Sequence, residues 1–154
     1  MGNTDSDRIE KKVLLKAPRA RVWRALTDAK EFGQWFGVEL AGALSPGARV
    51  KGKITHEGYE NLPFEITVER MEPERLFSYR WHPYAHDPIV DYSSEPTTLV
   101  VFELHESAEG TLLTVVESGF DRIPPARRAE AYRMNDQGWA EQMKSIEKHV
   151  GQTR

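Results

Sequence analysis

Two polar side chains share the parity of apolar strand residues. Glu117 follows Leu113 and Val115 at steps of two, and His56 follows Val50 and Ile54. Alternate residues of a strand point to one face. Both groups would therefore project among apolar neighbours, unless each sits at an edge or strand end open to water. Leu112 and Val116 contest the face assigned to Glu117. A carboxyl removed from water favours its neutral form. It could then donate to a ligand carbonyl, or trade a proton with a substrate. Tyr79, on the apolar face of a neighbouring strand, is the expected second contact, whereas an arginine such as Arg80 beside Glu117 would hold the carboxyl charged.

Other motifs fit ordinary structure better than chemistry. Gly47-Ala-Arg-Val-Lys-Gly52-Lys53 has the outline of a phosphate loop, but Ile54 stands where Ser or Thr should hold Mg²⁺. The segment also alternates like a strand, while phosphate binding needs a loop feeding a helix. Ser145-x-x-Lys148 matches a nucleophile motif without its companion motifs, and reads as helix surface. His82, His86, Asp87 and Asp91 could hold a divalent ion. Pro83 and Pro88 argue against the helix that would align them, so a loop at a pocket mouth is expected, with no metal and no cofactor.

The aromatic residues Trp35, Phe36, Phe64, Phe77, Tyr79, Trp81, Phe102 and Trp139 are either core or the wall of a cavity. Buried Trp and Tyr need partners for their N–H and O–H groups. Tyr79 and Trp81 share one strand face, which makes them the foremost lining residues, followed by Phe64 and Phe102.

The elements that must position these groups follow from periodicity. Residues 9–16 alternate as a strand, and Pro18 then suits the first turn of a helix over 19–27 whose stripe is Val22, Ala25 and Leu26. Asp28-Ala-Lys-Glu31 is a capping box for a second short helix with Phe32, Trp35 and Phe36 on one face and Gly37 at its end. Residues 49–56, 63–71, 75–82 and 98–106 each alternate apolar with polar, and 111–118 is a further strand. Such strands form an antiparallel sheet with one covered and one wet face. The last segment, opened by Pro124-Pro125 and closed by Gly151, is a long helix with Tyr132, Trp139, Met143, Ile146 and Val150 on one side. Gly138 in its middle costs about 1 kcal/mol relative to Ala, which suggests close backbone approach or space left for something else. The expected fold is α+β: a curved six-stranded sheet, two short helices after strand 1, and one helix that cannot fill the concavity alone. A pocket between helix and sheet follows.

Composition narrows the classes. The chain has 154 residues, enough for one domain (expected at 9–151, after a flexible tail at 1–8). Its 21 basic and 24 acidic residues give a net charge of −3 with no basic run, so no nucleic-acid partner is expected. The absence of cysteine excludes disulfides and thiolate chemistry. No apolar stretch approaches the roughly 20 residues of a membrane span, and no signal peptide is visible. Gly2 and Ser6 fit a myristoylation pattern, but Asp5 and Asp7 deny the basic patch that would support one acyl chain. A cytoplasmic location is expected.

Ala17-Pro18-x-x-x-Val22-Trp23-x-Ala25-Leu26-Thr27-Asp28, followed by Trp35-Phe36-Gly37, resembles the opening of Bet v 1-like (START-related, SRPBCC) helix-grip proteins. Glu117-Ser118-Gly119-Phe120 and Gly138-Trp139 resemble the branch named after the activator of Hsp90 ATPase, AHSA1-like. The resemblance implies a sheet gripping a long C-terminal helix around an apolar cavity, and a module that binds a small apolar or aromatic ligand. Trp35, Phe36, His56, Phe64, Tyr79, Trp81, Phe102, Glu117, Gly138, Trp139 and Met143 are the expected ligand-binding residues. Two alternatives accompany it: a chaperone-associated interaction domain, with a stress-response role, and a cyclase- or hydratase-like enzyme using the same cavity. The eukaryotic activator's stimulating motif lies in a separate N-terminal domain that these residues do not match, so Hsp90 turnover is expected to stay unchanged.

Overall fold

The computed structural model describes residues 7–87 and 89–152. Gly2 and Ser6, and Pro88 of the histidine-bearing loop, lie outside them. Strand β1 (Arg8–Leu15) is followed by helices α1 (Arg19–Thr27) and α2 (Ala29–Phe36), then β2 (Val38–Leu40), β3 (Arg49–Ile54), β4 (Pro63–Glu72), β5 (Leu76–Trp81), β6 (Thr98–Ser107) and β7 (Gly110–Ser118). A short 3₁₀ turn (Phe120–Arg122) leads into α3 (Pro125–Gln152). All strands join one antiparallel sheet in the order β1-β7-β6-β5-β4-β3-β2.

The two short helices form as their sequence dictates. Pro18 is the extended N-cap of α1, one residue before the first helical position. Asp28 accepts the backbone N–H of Glu31 at 3.0 Å and so caps α2. Gly37 ends α2 at φ 94°, a backbone region that side chains with a Cβ avoid. The same turn carries the chain directly into β2. At Gly33 a Cβ would sit 2.3 Å from the carbonyl oxygen of Val38, so α2 lies against β2 only because this residue has no side chain.

Strand β2 makes the sheet seven-stranded rather than six-stranded. It has three residues, too few to display a period of two, and pairing with β3 defines it. Helix α3 continues through Gly151 instead of stopping there, giving 28 residues and a length of about 42 Å. At the other end, the Asp7 carbonyl accepts from the backbone N–H groups of Gly119 and Phe120, and its carboxylate accepts from Asp121.

Register sets out the inner face. Ile9 pairs Glu117, Glu117 pairs Val100, Val100 pairs Tyr79 and Tyr79 pairs Val68. These five side chains form one row across five strands, and every one is buried. Above them lie Phe32 and Trp35 of α2, and Trp139, Met143 and Ile146 of α3.

Candidate functional site

Glu117 is fully buried near the end of β7, at 0% exposure. Four side chains converge on it. Trp81 of β5 donates its indole N–H to Oε2 at 2.7 Å, and Thr98 of β6 donates its hydroxyl to the same oxygen at 2.6 Å. Trp139 of α3 donates its indole N–H to Oε1 at 2.8 Å, and the Asn135 amide reaches Oε1 at 2.9 Å. The carboxylate thus joins three strands to the gripping helix. Burial pushes its pKa up, against the pull of these hydrogen bonds. No cation pairs with it among the described residues. Arg80 lies on the opposite face of β5, where it bonds Glu69 at 2.7 Å.

Tyr79 occupies the same row as Glu117, two strands away with Val100 between them. It is therefore not on a directly neighbouring strand. Its ring meets Phe77, Trp81, Phe102 and, edge-on, Phe32 of α2. Its hydroxyl is buried with no hydrogen-bond partner among the described residues. Burial and the nearby Glu117 charge both keep it protonated, well above the ordinary phenol range.

The space expected to be open beneath α3 is occupied by rings. Helix α2 supplies the missing material, laying Phe32, Trp35 and Phe36 under α3. Phe36 is half-buried at the last position of α2. Its ring centroid lies 5.6 Å from Phe64, 6.0 Å from Trp81 and 6.0 Å from Trp139. The walls of this aromatic box come from β4, β5 and α3, and Glu117 holds both tryptophans of it. Phe102 lies 5.6 Å from Trp139 and supports that wall. Gln142 ties the end of α2 to α3 by donating to the Phe36 carbonyl at 2.8 Å. Met143 is buried one turn after Trp139.

Gly138 sits on α3 between Asn135 and Gln142, and a Cβ there would meet nothing within 4 Å. Of the two reasons for a mid-helix glycine, space rather than close approach is what the structure shows. His56 is different from its expectation. Strand β3 stops at Ile54, which closes a hairpin by bonding Asn61 and Leu62, so His56 lies exposed in the loop near Tyr59.

The loop from β5 to β6 carries the histidines and aspartates, but as loop structure. His82 bonds the Glu95 carbonyl at 2.9 Å and His86 the Tyr84 carbonyl at 3.2 Å. Asp87 and Asp91 accept backbone N–H groups two residues on. Among the described residues no group of His, Asp and Glu could hold a metal ion. Arg127, in the first turn of α3, pins this loop. It donates from Nε and Nη2 to Glu95, bonds the Pro83 carbonyl and lies over the Tyr92 ring. The Gly47–Lys53 segment enters β3 rather than a helix, and Ser145 and Lys148 lie on α3.

A second polar cluster fastens α2 to its neighbours. Glu31 accepts from Arg21 at 2.9 Å, Arg24 at 2.5 Å and His149 at 2.9 Å. Burial pushes its pKa up, but the His149 hydrogen bond and the two guanidinium groups outweigh it and hold the carboxyl below its ordinary value. A separate groove of about 330 Å³, bounded by Arg19, Arg75, Glu103 and His105, lies outside this interior.

Thr98 and Asn135 were not expected in the site. Thr98 shares the inward parity of Val100 and Phe102, and Asn135 precedes Trp139 by one helical turn. Those spacings carry the signal, but only strand register brings both to Glu117.

The comparisons bear on fold and family. A protein from Mesorhizobium loti is 23% identical, with 96% of this chain and 98% of that chain covered and a TM-score of 0.75. DynU16, described as a protein of the dynemicin biosynthetic locus, is 27% identical, with 95% of this chain but 48% of its own length covered and a TM-score of 0.72. The Aha1 dimer from Colwellia psychrerythraea is 17% identical, with 93% and 95% covered and a TM-score of 0.67. The first and last of these likenesses show the fold alone. A comparison with curated proteins found no match. No helix among the described residues is long and apolar enough to cross a membrane. The family profile described as Activator of Hsp90 ATPase homolog 1-like protein matches residues 16–151, and its span covers both tryptophans that hold Glu117. The chain is a helix-grip domain belonging to that AHSA1-like family.

Proposed function

We propose that the domain binds a small, flat, mainly aromatic molecule in the box that the Phe36 ring occupies. The observation that carries this reading is Phe36 itself: a half-buried ring, at the end of an eight-residue helix, surrounded by Phe64, Trp81 and Trp139 at 5.6–6.0 Å. Those spacings are the range in which aromatic rings attract beyond simple burial. A ligand ring in place of Phe36 would meet the same three walls, with the Phe36 side chain turned out of the box while Glu31 and Gln142 keep α2 fastened. The space beside Gly138 gives the approach. Glu117 acts here as a positioning residue that fixes two walls. The likeness to a protein of a biosynthetic locus supports a small organic ligand rather than a macromolecule. The enzyme alternative lacks support: the buried carboxylate is saturated by donors, and among the described residues no second titratable group bonds to it.

Naphthalene, followed by quenching of tryptophan emission, tests the box. Phe36→Ala should bind it more tightly than the parent, because the plug is gone, and Trp81→Ala should lose binding. Equal binding by all three proteins would show that the probe goes elsewhere. A chaperone reading draws on the fold likeness to the Aha1 dimer, and stimulation of Hsp90 ATPase by the purified chain would replace the small-molecule reading.

A further inference from the structure

Tyr79 presents a buried donor that no group among the described residues uses. Its hydroxyl is inaccessible and unpartnered. A buried hydroxyl without a partner destabilises the fold, and phenylalanine of the same shape would avoid that cost. The acceptor nearest in the row, Glu117, is already engaged by Trp81, Thr98, Asn135 and Trp139. Ser78, the other buried hydroxyl without a partner among the described residues, is its neighbour on β5 and points to the opposite face. On the inner face the Tyr79 hydroxyl is thus the donor left over, while the lone pairs of Glu117 are taken. Tyr79 also borders the box: its ring is 5.5 Å from Trp81 and 6.4 Å from Phe32, which stacks on Phe36 at 4.8 Å.

We infer that the ligand is a flat aromatic compound of two or three fused rings bearing a hydrogen-bond acceptor, a ketone or quinone-type carbonyl oxygen, received by the Tyr79 O–H. The ring system takes the place of Phe36 and pushes Phe32 aside, and the carbonyl end reaches the phenol. This rests on the box reading and adds the polar end of the ligand. The chemistry follows from what the site can supply. A phenol held protonated donates well to a carbonyl oxygen, and a ligand lacking that acceptor leaves the donor stranded. A site built around a donor discriminates against analogues that do not meet it.

The test compares 9-fluorenone with fluorene, which differ by the carbonyl, in the parent and in Tyr79→Phe. The parent should bind fluorenone about tenfold more tightly than fluorene, the equivalent of about one good hydrogen bond. Tyr79→Phe should bind fluorene as the parent does and show no preference for the ketone. The carbonyl stretching band of bound fluorenone should move to lower frequency in the parent and not in the variant. If fluorene binds but the preference is absent, or is the same in both proteins, the Tyr79 assignment falls and the box reading stands. If neither compound binds the parent, the box reading fails and this inference fails with it.

Discussion

Replacing Glu117 by Gln measures what its converging donors are worth. The amide keeps one accepting oxygen and turns the other position into a donor. With its NH₂ in the place of Oε1, Asn135 can flip to present a carbonyl, but the Trp139 N–H at 2.8 Å loses its acceptor. With the NH₂ in the place of Oε2, Thr98 can turn its hydroxyl to accept, and the Trp81 N–H at 2.7 Å is stranded instead. Either arrangement leaves one indole unpaired, at a cost of about 1–3 kcal/mol. Glu117→Leu strands both, and on the same scale should cost about 2–6 kcal/mol. Urea unfolding followed by circular dichroism reads these differences. The pH dependence has a definite sign. Burial raises the Glu117 pKa in the folded chain, so the folded state holds a proton at pH values where the unfolded chain has lost it. The contribution of Glu117 is then complete below the ordinary carboxylate range and declines as pH rises through its folded value. Glutamine does not titrate, so the parent's advantage over Glu117→Gln should be largest in acid and shrink toward neutral pH. Equal stability within about 0.5 kcal/mol, the scatter of neutral surface changes, would refute the donor accounting. An advantage that grows with pH would refute the direction of the shift.

Tyr79→Phe removes an unpartnered hydroxyl and should raise unfolding stability by about 1 kcal/mol, again read in urea; a loss of similar size would show that the hydroxyl has a partner. Arg127→Ala releases Glu95, the Pro83 carbonyl and the Tyr92 ring, and should speed amide hydrogen exchange across residues 84–95 while leaving β7 protected. Glu31 titrates in the opposite sense to Glu117: its lowered pKa gives stability that is present above the ordinary carboxylate range and lost as pH falls through its folded value. Glu31→Gln should therefore flatten the acid limb of the stability profile, and an unchanged limb would remove this cluster from the account.

The legible part of the fold was the part with a repeating signal. Alternation in β3 to β6, the Asp28 cap and the Gly37 stop are local, and each is found where the sequence places it, except that β3 stops at Ile54 instead of reaching 56. Strand β2 was invisible because three residues carry no period; Gly33 lets α2 approach it, and Gly52 of β3, where a Cβ would sit 2.1 Å from the Glu39 carbonyl oxygen, lets it pair. Gly151 reads as a stop, yet it remains within helix α3, whose Val150 packs into the core. The site was half legible. Parity put Glu117 inside, and it is inside, because the register of β7 between β1 and β6 selects the Leu113–Val115–Glu117 face over the Leu112–Val116 face. His56 had the same parity argument, but β3 ends before reaching it. What parity could not show was saturation. Whether a buried carboxylate is free for a ligand depends on groups such as Thr98 and Asn135, 19 and 18 residues away in sequence and joined only by topology. The filling of the concavity was likewise hidden, since the rings of α2 read as one apolar face without revealing how far under α3 they reach.

Entry of a flat aromatic ligand into the box walled by the two tryptophans that Glu117 holds can be followed residue by residue through the indole N–H signals in a proton–nitrogen NMR spectrum. Trp81 and Trp139 both donate to Glu117, Trp35 donates to the Ala25 carbonyl, and Trp23 lies partly buried on α1. On titration with 9-fluorenone, the Trp81 and Trp139 signals should shift together and saturate, while Trp23 stays in place. A titration that leaves Trp81 and Trp139 unmoved, or shifts Trp23 instead, contradicts the assignment of the site.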